Sequence, residues 1–211
     1  MTNGNKMSQR SQKALQTRRR IIEAAHTLFV RNGYGTTNLA EIAAEAGVAP
    51  QTIYFVFGNK RNLLKEVVDT GIAGDDQPTT TMQRSWFTDA LATKTATEHL
   101  RAHIKGTHAI LRRVADLTKV LATAAAMDPA IAQMWPQAQD PRYVVSRAAA
   151  QALMRKPGAR ATVSADEAAD ILFGLLSPEL YLLLVRERGW HTDKWERWAF
   201  DTLRTQLTVD T

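Results

Sequence analysis

The chain contains no cysteine in its 211 residues, so it can form neither a disulfide nor a thiolate metal site. Its longest apolar stretch, residues 171–185, is about 15 residues long and is interrupted by Ser177, Pro178 and Glu179, whereas a membrane span needs roughly 18. The opening residues, MTNGNKMSQRSQKALQ, lack the apolar run of a signal peptide. These absences predict a cytoplasmic protein with no membrane partner.

Catalytic and metal-binding motifs are also scarce. His99 and His103 lie four residues apart, but no glutamate follows the first of them as in a metalloprotease helix. The Gly-Tyr-Gly at 33–35 has no third glycine, and the Gly-Asn-Lys at 58–60 lacks the earlier glycine of a phosphate loop. No nucleophile has a credible base nearby. We therefore predict no enzyme activity, no cofactor and no metal.

Positive charge is present, and it is unevenly distributed. The formal net charge is +6, and residues 1–66 contain ten Lys or Arg against four acidic residues, whereas the remaining 145 residues contain seventeen of each sign. A basic stretch alone is usually a solvated face. In proteins that bind DNA, however, Lys and Arg supply most of the non-specific affinity for the phosphates, and they cluster beside the motif that reads the bases.

The basic segment has the pattern of such a motif. Apolar residues recur every three or four positions over 16–31, which predicts a first helix. Thr37 or Asn38 can cap a second helix, and the segment from Asn38 to Glu41 resembles a capping box. Gly47 permits a tight turn, and Pro50 suits the first position of a third helix. Two short helices joined by such a turn form a helix-turn-helix, whose second helix fits the major groove of DNA.

The order and spacing of these residues resemble the TetR family of bacterial transcriptional regulators. The C-terminal part resembles that family in its helical character and in the ending SPELYLLLVRERGW followed by a tryptophan-containing helix. Ala49 stands where a capping serine is common, and Gln51 and Val56 replace other frequent residues, so relatives do not indicate the operator sequence. The matching positions are Phe29, Gly33-Tyr34, Thr37, Ile42-Ala43, Ala46-Gly47-Val48, Thr52-Ile53-Tyr54, Phe57, Asn59-Lys60 and Leu63-Leu64.

The resemblance implies an all-α fold with an N-terminal three-helix DNA-binding domain and a larger C-terminal helical domain for ligand binding and dimerisation. We expect a disordered polar tail over 1–15, the helix-turn-helix domain over 16–72, and the effector and dimer domain over 73–211. A fourth helix is expected from 60 to about 70. Further helices are expected at roughly 84–93, 97–115, 117–126, 128–155, 165–188 and 192–207.

The third helix carries the candidate base contacts. Gln51 can pair with adenine through two hydrogen bonds, and Thr52 can touch a base edge or a thymine methyl group. Phe55 can contact sugar or methyl groups. Two alternatives stay open, because Thr52 can instead assist the helix start and Phe55 can instead pack in the core.

Phosphate contacts are expected on both sides of that helix. The resemblance implies them at Thr37, Tyr54 and Lys60, although Tyr54 can also be mainly a core residue. The arginines that open the first helix can follow the DNA backbone or enter the minor groove as an arm. They are Arg18, Arg19 and Arg20.

The C-terminal part contains candidates for two further surfaces. The last two helices have more apolar residues than one stripe requires, which fits a central core helix. The resemblance instead implies a four-helix interface between two protomers. The interface candidates are Ile171, Leu172, Leu175, Leu183, Trp195, Trp198, Ala199 and Leu203. Large adaptable side chains that can line an effector pocket are Met82, Trp86, Phe87, His103, Leu111, Met127, Met134, Trp135, Tyr143 and Phe173.

Together these features predict a ligand-responsive repressor that binds a quasi-palindromic, double-stranded DNA operator as a homodimer and responds to an unknown small-molecule effector. A transcriptional activator of the same fold is an alternative. A helical small-molecule-binding or carrier protein whose helix-turn-helix does not read DNA is another.

Overall fold

The computed structural model describes residues 9–75, 79–134 and 140–209. Among these residues the chain is helical without strands, apart from a single antiparallel bridge between Ala159 and Thr208. A 3-10 turn lies at Thr81–Gln83 and a π-helical turn at Leu183–Glu187. The α-helices are α1 (Gln9–Asn32), α2 (Leu39–Ala46), α3 (Pro50–Phe57), α4 (Lys60–Ala73), α5 (Ser85–Ala92), α6 (Ala96–Met127), α7 (Pro129–Met134), α8 (Pro141–Leu153), α9 (Ala165–Leu175), α10 (Pro178–Leu182) and α11 (Thr192–Leu207).

The described residues form two compact units. The first unit contains those of 1–69 together with 119–134, and the second contains those of 70–118 and of 135–211. Helices α4 and α6 therefore contribute residues to both units. The sequence pattern did not indicate that the last part of α6 and all of α7 pack with the N-terminal helices.

Local hydrogen bonds fix the boundaries of the helix-turn-helix. The Asn38 side chain accepts a hydrogen bond from the Glu41 amide at 2.9 Å, and the Glu41 carboxylate accepts one from the Asn38 amide at 3.2 Å. This reciprocal pair is the predicted capping box. At the other end of α2, Gly47 has a φ of 63°, and the Val48 amide donates to the Ala43 carbonyl at 2.9 Å. Glycine reaches that conformation without strain, so the chain turns sharply before α3.

The core of the first unit uses the apolar stripe that the spacing predicts. Helix α1 buries Ile21, Ile22, Ala25, Leu28 and Phe29, and α4 buries a second set. Helix α3 contributes only Ile53 and Phe57 to the buried interior. The other side chains of α3 are exposed or half-buried, so most of this helix is available to a partner.

Several predicted boundaries are wrong. Helix α1 begins at Gln9, so residues 9–15 are helical, while residues 1–8 lie outside the described part. The two helices expected at 97–115 and 117–126 are one helix, because nothing between them breaks the pattern. Pro129 and Pro141 each open a new helix, which divides the single helix expected over 128–155. Proline fits a first helical position but disrupts a helix interior.

The stretch Ala165–Glu187 is the one described segment long and apolar enough to cross a membrane, with a mean hydropathy of 1.7. A buried core helix passes the same test of length and composition. The structure divides this stretch at Ser177, whose hydroxyl accepts a hydrogen bond from the Leu180 amide at 3.2 Å and so caps α10. The helix predicted over 165–188 is therefore divided before Pro178 into α9, α10 and a π-helical turn.

The second unit buries half of the predicted dimer residues in its own core. Leu172, Trp195, Ala199 and Leu203 are each 0% exposed, because α9 and α11 pack against other helices of the same chain. A fully buried side chain cannot contact a second copy, so the prediction is wrong for these four. Leu183 is exposed, and Ile171, Leu175 and Trp198 are half-buried.

Candidate nucleic-acid interface

Helix α3 presents a polar and aromatic outer face. Gln51 is exposed, Tyr54 is 57% exposed and Phe55 is 92% exposed, while Thr52 is half-buried. The burial of Ile53 and Phe57, four residues apart on one side, directs the intervening side chains outward. The core alternative for Tyr54 and Phe55 is therefore inconsistent with the structure.

An open cleft of about 720 Å³ lies beside this face. The starts of α2, α3 and α4 all contribute to it, and the first amides of a helix have no partner within the helix and attract anions. The cleft also contains a phenol and an ammonium group, so its chemistry suits a phosphate. Its lining residues are Gly35, Thr36, Thr37, Asn38, Leu39, Ala40, Pro50, Tyr54, Asn59 and Lys60.

Lys60 supplies the cationic group of the cleft. Its ammonium nitrogen lies 4.3 Å from the centroid of the Tyr34 ring, a cation–π contact that orients the side chain. Partial burial lowers the pKa of Lys60, and the nearby Glu41 carboxylate acts in the opposite direction. A cation that has already lost part of its hydration can approach a phosphate closely.

Arg61, the next residue, has a different role. Its Nε lies 2.5 Å from an oxygen of Asp128, and this hydrogen bond is the largest cause that lowers the pKa of the Asp128 carboxyl group. The pair joins the start of α4 to the residue that follows α6. Gly35 faces the same region, because a Cβ there would lie 3.0 Å from the Met127 methyl carbon.

Two predicted effector residues therefore lie in the first unit. Met127 is 65% exposed and lies against Gly35, and Met134 is half-buried in α7. Their assignment to the C-terminal domain is wrong, because the end of α6 and α7 pack with the N-terminal helices. Trp135, a third predicted pocket residue, lies outside the described residues.

Thr37 is not placed to hold a phosphate through its hydroxyl. The residue is 1% exposed, and its hydroxyl donates to the Gly33 carbonyl at 2.8 Å. Thr36 is exposed and lines the same cleft. The Thr36 hydroxyl also donates to the Asn32 carbonyl, so the two threonines differ in burial and not in having a partner. Neighbouring threonines look alike in a sequence, and only the packing of the loop distinguishes the buried one from the exposed one.

Exchanging each threonine for valine tests this assignment. We expect Thr37→Val to lower the free energy of unfolding by about 1 kcal/mol, because a buried hydrogen bond is lost. Thr36→Val, the matched control, should change it by less than about 0.5 kcal/mol, as exposed positions usually do. Urea unfolding followed by circular dichroism measures both. A larger loss in Thr36→Val than in Thr37→Val would contradict the assignment.

The three arginines of α1 are not equivalent. Arg18 forms an ion pair with Glu66, and its guanidinium carbon lies 5.5 Å from the centroid of the Phe57 ring. Arg18 therefore ties α1 to α3 and α4 instead of reaching outward, which differs from its predicted phosphate role. Arg19 and Arg20 are exposed on the same helix.

The remaining predicted effector residues fall into separate groups of the second unit. Trp86, Phe87 and His103 lie together, with ring centroids 5.5 Å apart for the Trp86–Phe87 pair and 6.0 Å for the Trp86–His103 pair. Tyr143 and Phe173 form another pair at 5.5 Å. The other two candidates belong to neither group. Leu111 is buried in the core, and Met82 is 39% exposed on the 3-10 turn.

His103 makes folding stability depend on pH. Burial lowers its pKa from 6.5 to about 3, and His99 acts in the same direction. The unfolded chain thus gains a proton below pH 6.5 that the folded chain does not bind until about pH 3. The stability contributed by neutral His103 is complete above pH 6.5 and is lost as the pH falls towards 3, at up to about 1.4 kcal/mol per pH unit.

Comparison with a His103→Phe variant isolates this effect from the carboxylates. Between about pH 7.5 and pH 4.5, the unfolding free energy of the unmodified protein should fall more steeply than that of the variant. Chemical denaturation at each pH measures both curves. Parallel curves would show that His103 titrates normally in the folded protein.

The first unit matches a known family. The family model described as "Bacterial regulatory proteins, tetR family" matches residues 21–67. The HTH-type transcriptional regulator TtgR of Pseudomonas putida is 42% identical over 59 residues, which are 28% of this chain and 28% of TtgR. The regulator AcrR of Shigella flexneri is 41% identical over 56 residues, 26% of each chain. These matches span little more than a quarter of the relatives' length.

Solved structures extend the likeness to most of the chain. A transcriptional regulator from Saccharomonospora viridis, in complex with choline, has a TM-score of 0.69 at 22% identity, covering 92% of this chain and 98% of that one. FadR from Bacillus subtilis, in complex with stearoyl-CoA, has a TM-score of 0.68 at 19% identity, covering 88% and 96%. At such identity the likeness concerns the fold. Residues 21–67 therefore match the tetR family of bacterial regulatory proteins, and most of the chain has the fold of the solved regulators.

Proposed function

We propose that the protein is a transcriptional regulator that reads an operator with α3 and responds to a small-molecule effector. One observation carries this proposal: the exposed face of α3 lies beside a cleft that has the chemistry of a phosphate site. Base edges and phosphates lie side by side in the major groove, so a DNA-reading surface needs both.

In this proposal Gln51 and Phe55 read bases. Gln51 is exposed near the start of α3, where a side chain of a recognition helix reaches base edges. Phe55, one turn later, offers an apolar surface to a thymine methyl group. Thr52 is half-buried, so less of its side chain is available to a base.

Tyr54 and Lys60 hold the phosphates that flank those bases. Both line the cleft, one with a phenol hydroxyl and one with an ammonium group. Arg19 and Arg20 lie on α1 with exposed side chains and add sequence-independent attraction. Contacts of this kind fix the register of the protein on DNA without selecting the sequence.

We further propose that a homodimer binds a quasi-palindromic site and that the effector binds in the second unit. Two-fold symmetry places two copies of α3 on successive major-groove faces. The exposed apolar residue Leu183 and the half-buried Ile171, Leu175 and Trp198 are the candidates for self-association. An effector alters DNA binding only if it favours one arrangement of the dimer over another. We also propose that the protein represses transcription and is located in the cytoplasm.

A Gln51→Ala variant tests base reading. We expect the variant to lose about 1–3 kcal/mol of discrimination at one base pair per half-site, because the paired hydrogen bonds to adenine are lost. Equilibrium binding to the selected operator and to its single-base variants measures this. Gln206→Ala, an exposed position on α11, is the matched control and should leave discrimination unchanged.

The same experiment addresses the carrier alternative. If Gln51→Ala keeps every base preference of the unmodified protein, Gln51 does not read bases. If the unmodified protein also retains no duplex above a random-sequence control, α3 does not read DNA and the carrier alternative is favoured.

A further inference from the structure

A second group of aromatic rings lies in the second unit, separate from Trp86. His108 of α6, Tyr181 of α10 and Trp195 of α11 form what we call the aromatic triangle. Its ring centroids are 5.4 Å apart for His108–Trp195, 5.0 Å for Tyr181–Trp195 and 6.0 Å for His108–Tyr181. Each residue is at most 4% exposed. Neither His108 nor Tyr181 was a candidate pocket residue in the sequence, because a helical pattern does not reveal which distant rings meet.

Two polar atoms of the aromatic triangle are unsatisfied. Nε2 of His108 and Nε1 of Trp195 are buried and have no hydrogen-bond partner among the residues that the structure describes. Leaving such a group unpaired destabilises the fold, and native proteins contain few of them. Two on neighbouring rings are available to a partner from outside the chain.

Glu196 determines what each atom offers. Its carboxylate is hydrogen-bonded to Nδ1 of His108. An ionised carboxylate only accepts, so Nδ1 carries the hydrogen, and in the neutral tautomer that this bond selects Nε2 is an acceptor. The indole Nε1 of Trp195 is only a donor. The aromatic triangle therefore presents one acceptor and one donor within apolar rings.

We propose that the aromatic triangle anchors a neutral, mainly apolar effector through a single hydroxyl group. The hydroxyl hydrogen is donated to Nε2 of His108, and the hydroxyl oxygen accepts from Nε1 of Trp195. One hydroxyl satisfies both atoms, whereas a hydrocarbon satisfies neither and an ammonium group cannot accept from the indole. A carboxylate would require a second proton on His108. This inference rests on the proposed effector role of the second unit.

The backbone next to the aromatic triangle is irregular. Helix α10, which carries Tyr181, passes directly into the π-helical turn Leu183–Glu187. Such turns are frequent at functional sites. Arg186 of this turn pairs with Asp116 of α6 at 2.6 Å, on the same helix as His108. The turn therefore packs beside α6 next to the aromatic triangle and interrupts the regular helix there.

Indole nitrogen–hydrogen NMR spectra of the full chain test the proposal. The protein has five tryptophans, and the Trp195 signal is the one that a Trp195→Phe variant lacks. The probes are phenol, toluene, which has no hydroxyl, and benzoate, which is charged. We expect millimolar phenol to shift the Trp195 signal saturably, and toluene and benzoate at neutral pH to shift it at least tenfold less effectively.

Variants locate the effect. His108→Leu should weaken phenol binding at least tenfold, and Glu196→Gln, a milder change, should weaken it several-fold by releasing the imidazole orientation. His26→Leu, on α1 in the first unit, is the control and should bind phenol normally. Each variant is shown to be folded if its other indole signals keep their positions in the spectrum of the unmodified protein.

Four results would overturn the proposal. They are no saturable phenol shift, equal effects of toluene and phenol, tighter binding of benzoate, and unchanged phenol affinity in a folded His108→Leu variant. The first is expected if the indole hydrogen points to the face of the Tyr181 ring or to a fixed water. The experiment contains no DNA, so its failure is separate from failure of the proposed operator binding.

Discussion

Reversing the charge of Lys60 is expected to weaken operator binding by about two orders of magnitude, because a phosphate contact is replaced by repulsion in both half-sites. The milder Lys60→Gln should weaken binding less than the charge reversal. Its effect should be the same factor for every DNA sequence, because a phosphate contact does not select bases. The slope of log affinity against log salt should fall by about one for each half-site. Fluorescence anisotropy titrations at several salt concentrations measure both quantities.

Lys105→Glu is the matched control for Lys60→Glu. Lys105 is exposed on α6 in the second unit, so the substitution changes the net charge by the same amount away from the cleft. Lys60 also contacts the Tyr34 ring, and thermal unfolding must show that the Lys60 variants remain folded at the assay temperature. Equal effects of Lys60→Glu and Lys105→Glu on affinity would indicate general electrostatics and not a specific phosphate site.

The second large effect is expected at Gly106 in α6. A Cβ at this position would lie 2.0 Å from Cε3 of Trp86, so the indole ring packs directly on the backbone. Gly106→Ala must displace that ring, which also contacts Phe87 and His103. Overpacking of this kind costs about 1–3 kcal/mol.

Gly174→Ala provides the comparison, since a Cβ at Gly174 meets nothing within 4 Å. Both glycines lie inside helices, so the gain in helix propensity of up to about 1 kcal/mol is common to the two variants. The difference between their unfolding free energies, about 1–3 kcal/mol, is therefore the cost of displacing Trp86. Urea denaturation measures it. Equal stability of the two variants would show that the ring moves away without loss.

The helix-turn-helix could be predicted from the sequence because its signals are local. Asn38, Gly47 and Pro50 act through hydrogen bonds or backbone angles within a few residues, and α2 and α3 begin where these residues indicate. Helix α11 likewise covers the expected range 192–207. The exposed face of α3 follows from the same local pattern.

Other features depend on packing between distant segments. The exposure of Thr36 and the burial of Thr37 are decided by a loop folding on α1. Trp195 has the composition of an interface residue, but α6 and α10 cover it within the same chain. The role of Gly106 becomes visible only when Trp86 is placed against it. A periodic pattern shows that a face is buried without showing what buries it.

Photo-cross-linking from position 55 tests the central claim most directly. A benzophenone-bearing amino acid in place of Phe55 keeps an aromatic group at the outermost point of α3. The proposal predicts cross-links to bases at equivalent positions in two inverted half-sites of a DNA duplex selected from random sequence. The same amino acid in place of Val209, which is 40% exposed in the second unit, should give none. Equal cross-linking from both positions, or none to bases from position 55, would contradict the proposal that α3 reads DNA.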